Sequence, residues 1–390
     1  MRKWLVCLAA ATATVIVLGT AGSSGGVPPR ASGPLVPISA SMTNSSGSSL
    51  LIPMGRIDDP SNTFWEVFLR PASSKSWVLR TPPGVASNGG LVLSGAPSGS
   101  LTVGFLISAD LKFSPIAQSA DGGDKWSPGE IPLPLASTPD ALAVGPSGDV
   151  LAIVASAQQS VLQTSGDLSS WGTLTSTKAL TGAADSCGVR DVTAVAYNDV
   201  AEPLLGLRCD QKGEIGMLAE TTSSMSGHPA WRDIALPLGP GIGTAVVTRL
   251  VSTSSGVTGL GQVADGKRTS IVAFWGGGST DQWSGPTAFS VPGSWSVKAT
   301  ATGGGSGQGV AVLLGSGAQR RVEVVTGPGG SWVSLPPAPQ AASGVSAVGS
   351  EIEAFVVTGS RLAVWAWTPG ATGWTQTASI SVPVPYGSSS

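Results

Sequence analysis

The octapeptide Ser119-Ala120-Asp121-Gly122-Gly123-Asp124-Lys125-Trp126 has the form S-x-D-x-G-x-x-W. It holds two aspartates, two glycines and a tryptophan, although charged residues make up only 11% of the chain. Such crowding points to a specific local structure. An aspartate at the third position can cap the backbone N–H groups of a tight turn. A glycine two residues on supplies a positive φ without steric cost. The tryptophan carries a large apolar ring away from the turn and into whatever lies beside it.

That tryptophan is one of a series. Trp77, Trp126, Trp171, Trp231, Trp283, Trp332 and Trp374 recur at intervals of 42 to 60 residues. Each follows a short turn rich in Gly, Ser or Asp, and most precede an extended tail ending in proline, as in WSPGEIPLP and WVSLPPAP. The last repeat divides into GVSAVG, EIEAFVVTG, RLAVWAWTPG and GWTQTASI, four segments rich in Val, Ile, Ala and Trp and bounded by Gly, Ser and Pro. This is the signature of short strands. A run as apolar as LAVWAW needs cover on both faces. No window outside the N-terminal leader has a helical period.

Repeats of roughly 40–50 residues with four strands each predict the blades of a β-propeller. The fold expected is therefore all-β, with seven four-stranded antiparallel blades and six as the alternative. The first repeat is short, because only 27 residues, Leu50 to Ser76, precede Trp77. The C-terminal stretch ISVPVPYG is expected to donate the missing strand, since an unclosed ring leaves unpaired edges.

Residues 1–21 combine Arg2 and Lys3 with an apolar run from Trp4 to about Leu18 and the small residues Gly19-Thr20-Ala21. That is the layout of a secretory signal peptide cleaved after Ala21. The run is short for a bilayer span, which needs about 20 residues. Residues 22–49, rich in Ser, Gly and Pro, read as a flexible linker, and residues 50–390 as the propeller domain. Removing the leader takes the formal charge from −2 to −4. No cationic run is longer than a pair such as Arg320-Arg321, which argues against nucleic-acid binding. After cleavage two cysteines remain, Cys187 and Cys209, and an exported pair reads as a disulfide. With His228 as the only histidine, no metal site is expected.

At its four defining positions, Ser119, Asp121, Gly123 and Trp126, the opening motif resembles the Asp-box of the sialidase-like (BNR repeat) β-propeller superfamily. Shorter copies precede Trp171 (Ser165-Gly166-Asp167), Trp332 (Thr326-Gly327-Pro328) and Trp374 (Thr368-Pro369-Gly370). The resemblance implies a propeller over about Leu50 to Tyr386, with the boxes as peripheral architecture. It also implies where to look for catalysis. Sialidases use a tyrosine nucleophile with a Glu partner, an acid/base Asp and three arginines, the first in an Arg-Ile-Pro stretch. Here Arg56-Ile57-Asp58-Asp59-Pro60 departs from that pattern. Of the two tyrosines, Tyr386 lies four residues from the end, leaving Tyr197 as the candidate nucleophile, in mid-chain where the family's tyrosine comes late.

Other chemistry reduces to weaker candidates. A glycosidase of another type needs two carboxylates, and Asp58/Asp59, Asp185/Asp191, Asp199/Glu202 and Asp210/Glu214 are available. The stretch between Cys187 and Cys209 is among the most acidic of the chain. His228 sits in a turn before Trp231. The glycine runs at 276–278 and 303–305 have no helix after them to cradle a phosphate. Trp365 and Trp367 share a strand face, where interblade packing competes with sugar stacking. The reading is a secreted or cell-surface, monomeric, non-enzymatic propeller without cofactor, presenting loops to an extracellular protein or glycan. A sialidase-like glycoside hydrolase is the alternative.

Overall fold

The computed structural model describes residues 39–55, 63–82, 91–105, 113–132, 140–155, 160–183, 187–221, 230–238, 243–266, 268–276, 282–303 and 308–383. Among the described residues, twenty-eight strands fall into seven consecutive groups of four, over residues 39–79, 91–132, 141–176, 189–237, 244–291, 296–334 and 342–381. Within each group the strands pair antiparallel in sequence order. These are seven blades, numbered here in chain order. One helical turn, Thr177–Leu180, lies between blades 3 and 4.

The core is divided into seven layers, one between each pair of neighbouring blades, and every layer holds one tryptophan of the repeat. Trp126 packs between blades 1 and 2 with Leu51, Val67 and Val103. Trp171 lies between blades 2 and 3, Trp231 between 3 and 4, and Trp283 between 4 and 5. Trp332 lies between 5 and 6, Trp374 between 6 and 7, and Trp77 between 7 and 1. The seventh layer can exist only if the ring is closed. Each tryptophan thus extends backwards from its own blade onto the preceding one. Where the indole N–H meets an acceptor, that acceptor belongs to the preceding blade: Trp126 donates to Arg80 O at 3.0 Å, Trp171 to Glu130 O at 2.7 Å, Trp332 to Thr287 O at 3.0 Å and Trp374 to Pro336 O at 3.0 Å.

Two expectations about closure are corrected. The ordered ring begins at Ser39, inside the stretch read as linker, because Ser39–Asn44 forms the innermost strand of blade 1. Its serines and threonine disguise it as a tether, yet they are the groups that join it to blade 7. Ser41 Oγ donates to Val345 O and Thr43 Oγ1 to Ala347 O, both at 2.8 Å. Among its described residues, the C-terminal stretch adds no strand to blade 1, although Val382 packs in the layer between blades 7 and 1. Ile380 and Ser381 end the outer strand Thr375–Ser381 of blade 7.

The same innermost strand also runs parallel to Ser296–Thr302 of blade 6, with Ser39 opposite Ala299 and Met42 opposite Thr302. Inner strands of two non-adjacent blades therefore pair directly, and the inner strand Ala342–Val348 of blade 7 packs against both. Most residues of this pairing are small and several are fully buried (Ser39, Ser41, Ala299, Ala301).

Cys187 and Cys209 form a disulfide in blade 4, with Cα atoms 5.1 Å apart. It ties the entry of the inner strand Val189–Tyr197 to its neighbour Pro203–Lys212. No helix among the described residues is long and apolar enough to cross a membrane.

Candidate functional site: an axial cavity around Arg249

The inner strands leave a cavity of about 340 Å³ at the axis. Blade 1 contributes Ala40, Met42, Leu51 and Trp65, blade 2 Val92 to Ser94, blade 3 Asp140 to Leu142, and blade 5 Thr248 to Val251. The wall is predominantly apolar, and Arg249 is its only arginine. Arg249 lies mid-way along the inner strand Thr244–Thr253 of blade 5. Its Nη1 donates to Thr300 O at 3.2 Å and to Thr300 Oγ1 at 3.1 Å, and its Nη2 to Ser41 O at 2.7 Å. One guanidinium thereby ties blade 5 to blades 6 and 1, the two whose inner strands pair in parallel. Burial lowers its pKa to about 10, which leaves it protonated at neutral pH.

Tyr197 is not part of this cavity. It is 6% exposed and belongs to the layer between blades 3 and 4, with its ring against Gly145. Its backbone N–H and C=O are both engaged by Ser252 Oγ, at 3.2 and 2.7 Å. Burial, helped by the charge of Asp149, pushes the phenol well above the usual tyrosine range. A nucleophilic tyrosine needs the opposite environment.

The acidic candidates serve mostly as caps and surface pairs. Asp191 accepts from Ser160 Oγ at 2.7 Å and from the Val192 N–H at 2.9 Å. Glu202 accepts from Asn198 Nδ2 at 3.0 Å. Asp210 pairs with Arg190 at 3.7 Å on the exposed surface. Asp199 is exposed, and Glu214 Oε2 is buried with no hydrogen-bond partner among the described residues. No three His, Cys, Asp or Glu side chains group closely enough to hold a metal among the described residues. Arg56, Asp58, Asp59, Asp185, His228 and Tyr386 lie outside them. Trp367 joins the layer between blades 6 and 7 and donates to Ala371 O at 3.0 Å. It also lines a second, apolar cavity of about 340 Å³ with Val324, Val333 and Ile352.

The opening motif is a self-contained lock. Ser119 Oγ receives the Gly123 N–H at 2.7 Å, while Asp121 Oδ1 accepts from Ser119 Oγ at 2.8 Å and from the Lys125 N–H at 2.9 Å. Gly123 has φ +87°, and a Cβ there would meet Leu69 of blade 1. The bonds from the Lys125 amide and then Ser119 hold the Asp121 carboxyl below its ordinary pKa. Blade 3 repeats the device one residue shorter. Ser165 Oγ receives the Leu168 N–H at 2.9 Å, Asp167 Oδ1 accepts from the N–H groups of Ser169 and Ser170, and Leu168 takes the positive φ of 61°.

Residues that sequence reasoning missed are Arg249, Asp140 and Glu220. The signal for Arg249 was present: a single charge inside TAVVTRLVST, an otherwise apolar or small inner strand. Glu220 is raised in pKa, by burial first and then by the charge of Glu202, and only the fold brings those two together.

No family model matches the sequence, and no curated protein matches it. Among solved structures, a candidate 6-phosphogluconolactonase from Bacteroides uniformis aligns over 86% of this chain and 96% of its own, at 10% identity and a TM-score of 0.50. A second, from Bacteroides fragilis, aligns over 86% and 95% at 9% identity and a TM-score of 0.51. At such identities the likeness is one of fold: the chain is a β-propeller.

Proposed function

We propose that this protein is a secreted, non-enzymatic binding module, a rigid propeller that retains an extracellular protein or glycan at its axial face. The observation that carries the reading is the axial cavity itself. Its wall is predominantly apolar with one arginine and one aspartate, while the sole described tyrosine is withdrawn into an interblade core. Such a wall suits retention of a ligand. Catalysis needs a nucleophile, a base and charge stabilisers converging on one point. The S-x-D-x-G-x-x-W turn supports descent from the Asp-box propellers in architecture, with its motif at the blade periphery and away from the axis.

The test is a panel of immobilised glycans and fluorogenic glycosides presented to the chain from residue 22 onward. Retention of a ligand without turnover supports the binding reading. Turnover that disappears in Tyr197→Phe would establish the sialidase-like alternative instead.

A further inference from the structure

Arg249 is a cation whose hydrogen bonds among the described residues all go to neutral oxygens. These are Ser41 O, Thr300 O and Thr300 Oγ1, and they use three of its five N–H groups. The Nε–H and one Nη2–H are left without an acceptor among the described residues. A desolvated charge whose partners are all neutral is costly, whereas one that meets an anion is not. Strand-to-strand bonding alone would be served by a neutral amide. The residue is not fully buried and lines the cavity, from which an incoming group can approach it.

We propose that the axial cavity binds a small organic monocarboxylate, its carboxylate on the remaining N–H groups of Arg249 and its apolar body among Met42, Leu51, Trp65 and Leu142. The inference rests on the reading of the axial cavity as the binding site. Guanidinium matches carboxylate through two parallel N–H···O bonds. A volume of about 340 Å³ is at the small end of ligand sites and holds one ring with a short chain.

Isothermal titration with 4-phenylbutyrate and its uncharged analogue 4-phenylbutyramide tests the proposal on the wild type, on Arg249→Met and on Ser94→Trp. Ser94 lines the cavity, so a tryptophan there fills it and leaves Arg249 in place. The expected result is saturable one-to-one binding of the carboxylate, at least tenfold tighter than the amide. Arg249→Met brings the two ligands to parity, and Ser94→Trp abolishes both. Should Arg249→Met fail to fold, the wild-type carboxylate-to-amide ratio and Ser94→Trp decide the matter. Equal affinity for the two ligands, unchanged binding in Ser94→Trp, or no saturable binding of either would overturn the proposal. Retention of a glycan or partner protein alongside any of those results sinks the carboxylate site and leaves the binding module standing.

Discussion

Trp77 of blade 1 donates its indole N–H to Glu353 Oε2 of blade 7 at 2.8 Å, while Arg70 reaches the other carboxylate oxygen at 2.7 Å. Arg70 also approaches Glu351 at 3.6 Å. These bonds cross the seam where the first blade meets the last. The other seams have an apolar layer and, at four of them, an indole bonded to backbone of the preceding blade. The closing seam adds the buried Arg70–Glu353 ion pair to its apolar layer.

Glu353 makes closure sensitive to pH. It is 2% exposed, and burial pushes its pKa up to about 7 against the pull of Arg70 and Trp77. A folded-state pKa above the unfolded one means that the native protein holds a proton the unfolded chain releases. Stability therefore declines as pH rises from about 4.5 to 7. Urea unfolding at pH 4.5 and 7.5 is expected to show this decline, and Glu353→Gln is expected to flatten it. An equal slope in the variant would remove Glu353 as its source. Glu353→Ala, which leaves Arg70 buried with Glu351 alone, is expected to cost about 3–5 kcal/mol.

The interblade tryptophans are not equivalent. Trp126 donates to Arg80 O, whereas Trp283 Nε1 has no partner among the described residues. Phenylalanine at either position loses ring area, but only Trp126→Phe also leaves a carbonyl without its donor. Trp126→Phe is expected to be the more destabilising by about 1 kcal/mol in chemical denaturation.

Gly123→Ala combines a φ that alanine disfavours with a collision against Leu69. Gly148→Ala shares the strained φ, at +92°, but has open space around its Cβ. Loss of stability on the order of 1 kcal/mol is expected at Gly148 and clearly more at Gly123. Equal losses would mean that the turn yields without disturbing the seam between blades 1 and 2.

The disulfide closes a loop of sequence separation 22. Replacing Cys187 and Cys209 together by serine is expected to lower stability by about 3 kcal/mol, read as a shift in the denaturation midpoint. Neither cysteine lines the cavity around Arg249, to which blade 4 contributes only Ala194 and Val195, so ligand retention is expected to survive.

The architecture was legible because its signals are local and repeated. A capping aspartate, a left-handed glycine and a tryptophan three residues on mark the same turn wherever they occur, and Trp126 and Trp171 perform the same task on successive blades. Closure was not legible. Ser39–Asn44 has the composition of a tether, and its role depends on carbonyls of Val345 and Ala347 some 304 residues away. The site was half legible. Arg249 stands out as a charge in an apolar strand, yet only the ring sets it against Ser41 and Thr300. Tyr197 attracted attention through its rarity, and its burial between blades is invisible without the fold.

Ser39–Asn44 carries both halves of this account, since it closes the ring against blade 7 and supplies Ala40, Met42 and the Ser41 carbonyl to the axis. Comparing the cooperative unfolding of a chain that begins at residue 36 with one that begins at residue 47 tests it most directly. The account predicts an intact, single transition for the first and its loss, or a large fall in midpoint, for the second. The same midpoint in both would contradict it.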